Sequence, residues 1–226
     1  MRRLLSIVVL SIFVFSNFSC ISSTAESDEK RISIFFSVLN IGDDLTVGDN
    51  TIQVSDFKFT LIRFNLYAEN DVVLQSTGDV GGFIFAYTDE ISVQRLILDV
   101  GLGFSDIEIF NGFEIFFEPV SNSANIGDSE FFGDGENFSQ VIKGTVNEVD
   151  FVFKSSLVFE KFYEITGVQL TDREESLVVF LSIDLEKVFA DESGNFLDPT
   201  VQENEALIMQ NIEQNLIADF GSESVF

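Results

Sequence analysis

TIQVSDFKFTLIRFNLYA, residues 51–68, alternates in its second half. Phe57, Phe59 and Leu61 stand two apart, and Phe64 and Leu66 resume that spacing after a phase slip near Ile62. Side chains of a strand point to opposite faces in turn, so the pattern makes a strand with one apolar face, and the slip predicts a β-bulge.

The flanking segments carry the same signature. RISIFFSVL, residues 31–39, is β-branched and aromatic, and residues 72–74, 83–87 and 91–100 read as further strands between turn residues. Residues 106–119 hold DIEIF, then Asn111-Gly112, then FEIFFEP. Asn-Gly between alternating runs predicts a two-residue type I′ hairpin, because both central residues need positive φ. A long acidic loop follows over residues 121–137, then strand-like runs over 138–144, 146–154, 156–162 and 164–171. SLVVFLSID, residues 176–184, is apolar on both faces and predicts a central strand.

The character changes after residue 184. Residues 200–216 predict a helix: Thr200 and Glu203 form a T-x-x-E capping box, and Ile208, Ile212 and Leu216 line one face. About a dozen strands and one terminal helix imply an all-β fold, an antiparallel β-sandwich over residues 31–220 with a C-terminal helix at about 200–217. The chain ends in Phe226, as outer-membrane barrels often do, but Ser222 and Ser224 break the alternation of a closing barrel strand.

Residues 1–20, MRRLLSIVVLSIFVFSNFSC, have two arginines, an apolar run too short to span a membrane, and the chain's single cysteine. This layout predicts a signal peptide over residues 1–19. Cys20 stands where it resembles the lipidated cysteine of bacterial lipoproteins, which implies an exported protein. A membrane partner through an N-terminal lipid follows, at the outer membrane or cell surface. Residues 20–30 are small and polar and read as a tether.

Net charge is −26, with 38 acids against 12 lysines and arginines. Such a chain repels nucleic acid, and calcium or cationic partners are its natural counterparts. Histidine is absent, which removes Ser-His-Asp catalysis and imidazole-bound metals. With Cys20 given to lipid, thiolate chemistry goes too.

Three constellations remain. Asp191, Glu192, Ser193, Asn195 and Asp198 could supply oxygens to calcium, or form a plain acidic turn before the helix. Asp128, Glu130, Asp134 and Glu136 in the long loop could hold calcium or a cationic partner, or belong to a disordered loop. A carboxylate pair could hydrolyse glycosides, although the lack of Trp argues against a sugar platform. No other cofactor is expected.

In layout, RISIFFSVLN, TIQVSDFKFTLIRFNLYA, RLILDVGLG, VVFLSIDLEKVFADESGNFLDPT and NEALIMQNIEQNL resemble uncharacterised β-sandwich lipoproteins of the Bacteroidota type. The first half is loosely similar to MbnP-like proteins. The resemblance implies a sandwich at the cell surface. The metal and redox chemistry of the MbnP-like family leans on His and Trp, both absent here, so no site carries over.

The expected function is a non-catalytic binding or structural module of the cell envelope, with an unidentified protein or glycan partner. The alternatives are a carboxylate-based hydrolase acting on glycans and a calcium-stabilised adhesion domain. Adhesion predicts an exposed apolar or aromatic patch. Hydrolysis predicts a cleft with two facing acids.

Overall fold

The computed structural model describes residues 31–68, 71–76, 82–99, 109–121, 127–166 and 176–223. The expected signal peptide, Cys20 and the tether lie outside the described residues, as do residues 106–108 of the expected hairpin, 122–126 of the acidic loop and 167–171 of the run expected over 164–171.

Residues 51–68 supply two strands, β3 (Asn50–Leu61) and β4 (Arg63–Ala68), numbered in chain order. The phase slip at Ile62 marks the point where the chain leaves one sheet for another. Ile62 stands between the strands and donates its N–H to the Phe116 carbonyl at 2.9 Å. The bulge lies elsewhere: the register of β3 shifts between Val54 and Asp56.

Three sheets form, each named here by a central strand. The β1 sheet runs β13 (Ile217–Glu223), β12 (Ser176–Asp184), β1 (Arg31–Leu39), β7 (Val93–Asp99). The β3 sheet runs β10 (Val149–Ser155), β9 (Gln140–Val146), β3, β2 (Asp44–Val47). β6 (Phe83–Thr88) extends its edge, pairing with the second half of β3 where β2 pairs with the first. The β4 sheet runs β11 (Phe159–Glu164), β8 (Gly112–Phe117), β4, β5 (Asp71–Ser76). The all-β, sandwich-like class holds. One pair departs from antiparallel order: β1 and β12 lie parallel, from Arg31 beside Ser176 to Leu39 beside Asp184. As its composition predicts, β12 is central, with Leu177, Val178, Val179, Leu181 and Ile183 buried.

The three sheets meet at Phe59. Its ring lies 4.5 Å from Phe36 of β1, 5.1 Å from Phe85 of β6 and 5.3 Å from Phe117 of β8, which stacks on Phe159 of β11 at 4.4 Å. Phenylalanine suits this place because a ring without a polar atom can be buried from every side. Tyr87 is the exception: it is fully buried against Phe36 and Phe59, and its hydroxyl has no partner. Burial pushes its pKa far up. Tyr87→Phe removes an unpaired buried hydroxyl and is expected to stabilise the fold by about 1 kcal/mol, read from denaturant unfolding. A loss of stability would mean that the hydroxyl is satisfied.

The Asn111-Gly112 hairpin expectation is corrected. Neither Asn111 nor Gly112 takes positive φ, and Gly112 opens β8 instead of turning a hairpin. The glycine answers a packing demand. A Cβ there would stand 2.5 Å from the Phe162 ring and 3.3 Å from Tyr67 Cβ. The two-residue turn with positive φ is at Asn147 (+50°) and Glu148 (+68°), between paired Val146 and Val149. Asn147 Oδ1 accepts the Thr51 N–H at 2.9 Å, which holds that turn against β3.

The helix, α1, spans Glu205–Asn215, shorter than expected, and the Thr200 capping box does not form. Asp198 Oδ1 instead accepts both the Thr200 N–H (2.8 Å) and its hydroxyl (2.7 Å). A 3-10 turn over Gln202–Asn204 then leads in. The expected apolar face does dock: Ile208, Met209, Ile212 and Leu216 are buried. Lys161 of β11 closes the C-terminal end, donating to the carbonyls of Glu213, Gln214 and Leu216. A cation there complements the negative end of the helix. The chain then continues as β13, an edge strand that the sequence reading did not expect. Among the described residues no helix is long and apolar enough to cross a membrane.

Candidate functional site

Each acidic constellation has a definite place. Asp191 closes a turn on itself: Oδ1 accepts the N–H groups of Ser193 and Asn195, both at 2.8 Å, and Oδ2 accepts the Asn195 amide at 2.8 Å. The Asn195 amide and then its backbone N–H hold the Asp191 carboxyl below its ordinary pKa. N–H donors thus fill positions that a cation would take. Asp198 is engaged with Thr200, and Glu192 and Ser193 line an open hollow with Leu207 and Gln214. Among the described residues no three acids converge as metal ligands.

The second constellation is split. Asp128 and Glu130 belong to a 3-10 turn laid over the outer face of the β3 sheet, where Asp128 accepts the Glu130 N–H at 3.0 Å. Lys58 of β3 donates to Asp128 (2.8 Å) and to Glu130 (2.7 Å), and Lys143 of β9 also pairs with Glu130. Lys154 of β10 donates to the Glu130 backbone carbonyl at 2.8 Å. Hydrogen bonds from Lys143 and Lys58 hold the Glu130 carboxyl at about 2. Phe131 follows, fully buried with Val120 and Val141. The chain is therefore its own cationic partner at this loop. Glu136 stands apart, accepting the Ser156 hydroxyl at 2.5 Å, and Asp134 joins neither group.

Beside that loop runs an open cleft of about 440 Å³ between the β10 edge and residues 199–205. Its lining includes Glu136, Lys154, Ser156, Gln202 and Glu205. The Gln202 amide donates to Glu205 at 2.5 Å. The size suits a small ligand.

The outer face of the β4 sheet has the chemistry that the sequence reading did not single out. Phe162, Glu114, Asn65 and Gln75 stand in register across β11, β8, β4 and β5. At strand spacing this row is roughly 14 Å long. Its polar members are linked. Gln75 donates to Asn65 Oδ1 at 3.2 Å, Asn65 donates to Glu114 Oε2 at 2.8 Å, and the Tyr67 hydroxyl donates to the same oxygen at 2.6 Å. That last bond, then burial, raises the Tyr67 pKa. Among the described residues Glu114 Oε1 has no hydrogen-bond partner. Phe162 meets Tyr67 edge to face at 5.5 Å and crosses Gly112, yet remains 54% exposed. In the next row Arg63 lies 3.9 Å over Phe116.

The outer face of the β1 sheet is different. Phe35 and Phe180 stack at 5.1 Å with Arg95 over Phe35, and Val93, Ile97 and Ile217 are exposed around them. It is apolar and offers hydroxyls, without the linked amide and carboxylate row.

No protein-family model matches this chain, and no curated protein or solved structure is significantly similar to it. The reading of these surfaces therefore stands on their chemistry.

The signal that marks the β4 face is present in the sequence as the outward phase of two alternating runs. Arg63, Asn65 and Tyr67 alternate with Phe64 and Leu66, and Gly112, Glu114 and Phe116 alternate with Phe113 and Ile115.

Proposed function

We propose that the chain is an exported, lipid-anchored, non-catalytic module that binds a glycan on the outer face of the β4 sheet. The observation that carries the reading is the row Phe162–Glu114–Asn65–Gln75 with Tyr67 beside it. A sugar offers hydroxyls around its rim and C–H groups on its faces. The Gln75 amide, the Glu114 carboxylate and the Tyr67 phenol, tied together by the buried Asn65, meet the first, and the electron-rich face of the exposed Phe162 ring meets the second. Residues 1–20 support export and attachment through Cys20.

Binding to a panel of immobilised polysaccharides tests the site. Phe162→Ala is expected to weaken binding at least tenfold while the melting temperature barely moves, because the ring is half in solvent. Unchanged binding would remove the β4 face from consideration. Attachment is tested by labelling with a palmitate analogue: label that persists in Cys20→Ala would refute it.

A second reading uses the cleft, where Glu136 and Glu205 supply the two acids that a glycan hydrolase needs. Release of reducing ends by the protein, abolished by Glu205→Gln, would put hydrolysis first. The calcium-stabilised reading is tested by calorimetric titration. No heat is expected, since N–H groups already fill the Asp191 oxygens and lysines hold Asp128 and Glu130.

A further inference from the structure

Arg63 has neither a hydrogen-bond acceptor nor an ion-pair partner among the described residues. Lys58, Lys143 and Lys187 pair with carboxylates, and Lys154 and Lys161 donate to backbone carbonyls. An arginine without an acid is unexpected where acids outnumber cations 38 to 12. It is not idle in position. Phe116, only 7% exposed, carries the guanidinium carbon 3.9 Å from its ring centroid, and the Nε is enclosed without an acceptor. Arg63 as a whole is only partly buried, so its guanidinium is within reach of a ligand. Arg63 also stands two residues from Asn65 along β4, about 7 Å at strand rise, so a ligand on Arg63 lies beside the row that the buried Asn65 ties together.

We propose that Arg63 receives a carboxylate of the ligand, so that the bound glycan carries an acidic sugar, sparse or terminal in an otherwise neutral chain. This rests on the glycan reading above. A planar guanidinium seated over an aromatic ring matches a planar carboxylate with two parallel hydrogen bonds. The charge balance sets the density of acid. A polyanion would be repelled by a surface of net charge −26. A single carboxylate seated on Arg63 is screened from charges beyond about 8 Å at physiological salt and feels mainly the guanidinium. The selected ligand is thus a neutral glycan with isolated acids.

The test compares matched probes: glucuronoxylan with its carboxyl-reduced form, and sialyllactose with lactose, each titrated against the full mature domain. At least one acidic probe is expected to bind tenfold or more tightly than its neutral match. Arg63→Met is expected to abolish the preference and leave neutral binding in place, Arg63→Lys to restore part of it, and Phe162→Ala to weaken both forms. Equal binding of acidic and neutral forms, with Arg63→Met unchanged, would overturn the role of Arg63 and leave the glycan reading standing. Binding of no probe would overturn both. The wild-type comparison decides even if Arg63→Met folds poorly.

Discussion

The β3 and β4 sheets share one continuous piece of chain, joined at Ile62, and turn their inner faces to the same phenylalanine core. Their outer faces differ. On the β3 sheet, Lys58, Lys143 and Lys154 meet Asp128 and Glu130, and Phe131 is driven in beneath the loop that carries those acids. On the β4 sheet, Arg63 meets no acid among the described residues, and Phe162 keeps half its surface in solvent. A face closes where the chain brings its own counter-charge, and stays open where it brings none. In a chain with few cations, that choice distinguishes a structural surface from a binding one.

The largest break in this comparison is expected at Phe131. It is wholly buried and anchors the cover to Val120 and Val141. Phe131→Ala leaves a cavity under the loop and is expected to cost about 3–4 kcal/mol in denaturant unfolding. A cost below about 1 kcal/mol would mean that the cover is held by charge alone.

The charges come next. Lys58→Met is expected to cost about 1–2 kcal/mol, since it leaves Asp128 Oδ2 and Glu130 Oε2 without a partner in a partly enclosed network. The pH dependence follows from the directions of the shifts. Glu130 is depressed from 4.5 to about 2, so its contribution is present above the unfolded value and is lost as pH falls from about 4.5 towards 2. Asp128 is depressed as well, because Lys58 and the Glu130 N–H outweigh desolvation, and it acts in the same direction. Lys58 loses to desolvation but gains more from Asp128 and Glu130, so it is raised above 10.5, and its contribution is lost only as pH rises through that elevated value. Chemical unfolding across pH is expected to show a plateau between these limits. Glu130→Gln should flatten the acid limb and leave the alkaline limb largely in place. An unchanged acid limb would mean that the network contributes nothing measurable.

These contrasts were unevenly legible in the sequence. Period-two alternation exposed most strands and the break at Ile62, because burial on one face leaves a local record. Gly112 misled, since a glycine demanded by the Phe162 ring reads the same as one demanded by a turn. Asn147-Glu148 passed unnoticed because glutamate rarely takes positive φ. Thr200 lost its capping role to Asp198, a choice between two local hydrogen-bond patterns that spacing alone does not settle. The acidic loop could be seen, but not its lysines, because Lys58 lies 72 residues from Glu130 and pairing between a strand and a distant loop leaves no local trace. The β4 face was missed for a similar reason. Its polar groups are ordinary outward residues until the register brings Glu114, Asn65 and Gln75 into one row.

The smallest effect sharpens the comparison most. Arg63→Met removes a cation, as Lys58→Met does, but breaks no ion pair. What it loses is the contact with Phe116, worth about 0.5–1 kcal/mol at a partly exposed site, and methionine restores part of the packing. The two variants should also separate by salt. Added salt weakens the lysine pairs in the wild type, so the deficit of Lys58→Met should shrink, while that of Arg63→Met should hold steady. The measurement is denaturant unfolding of both variants at low and high ionic strength. Equal deficits that fall together with salt would give Arg63 an internal partner, and the outer face of the β4 sheet would then be closed in the same sense as that of the β3 sheet.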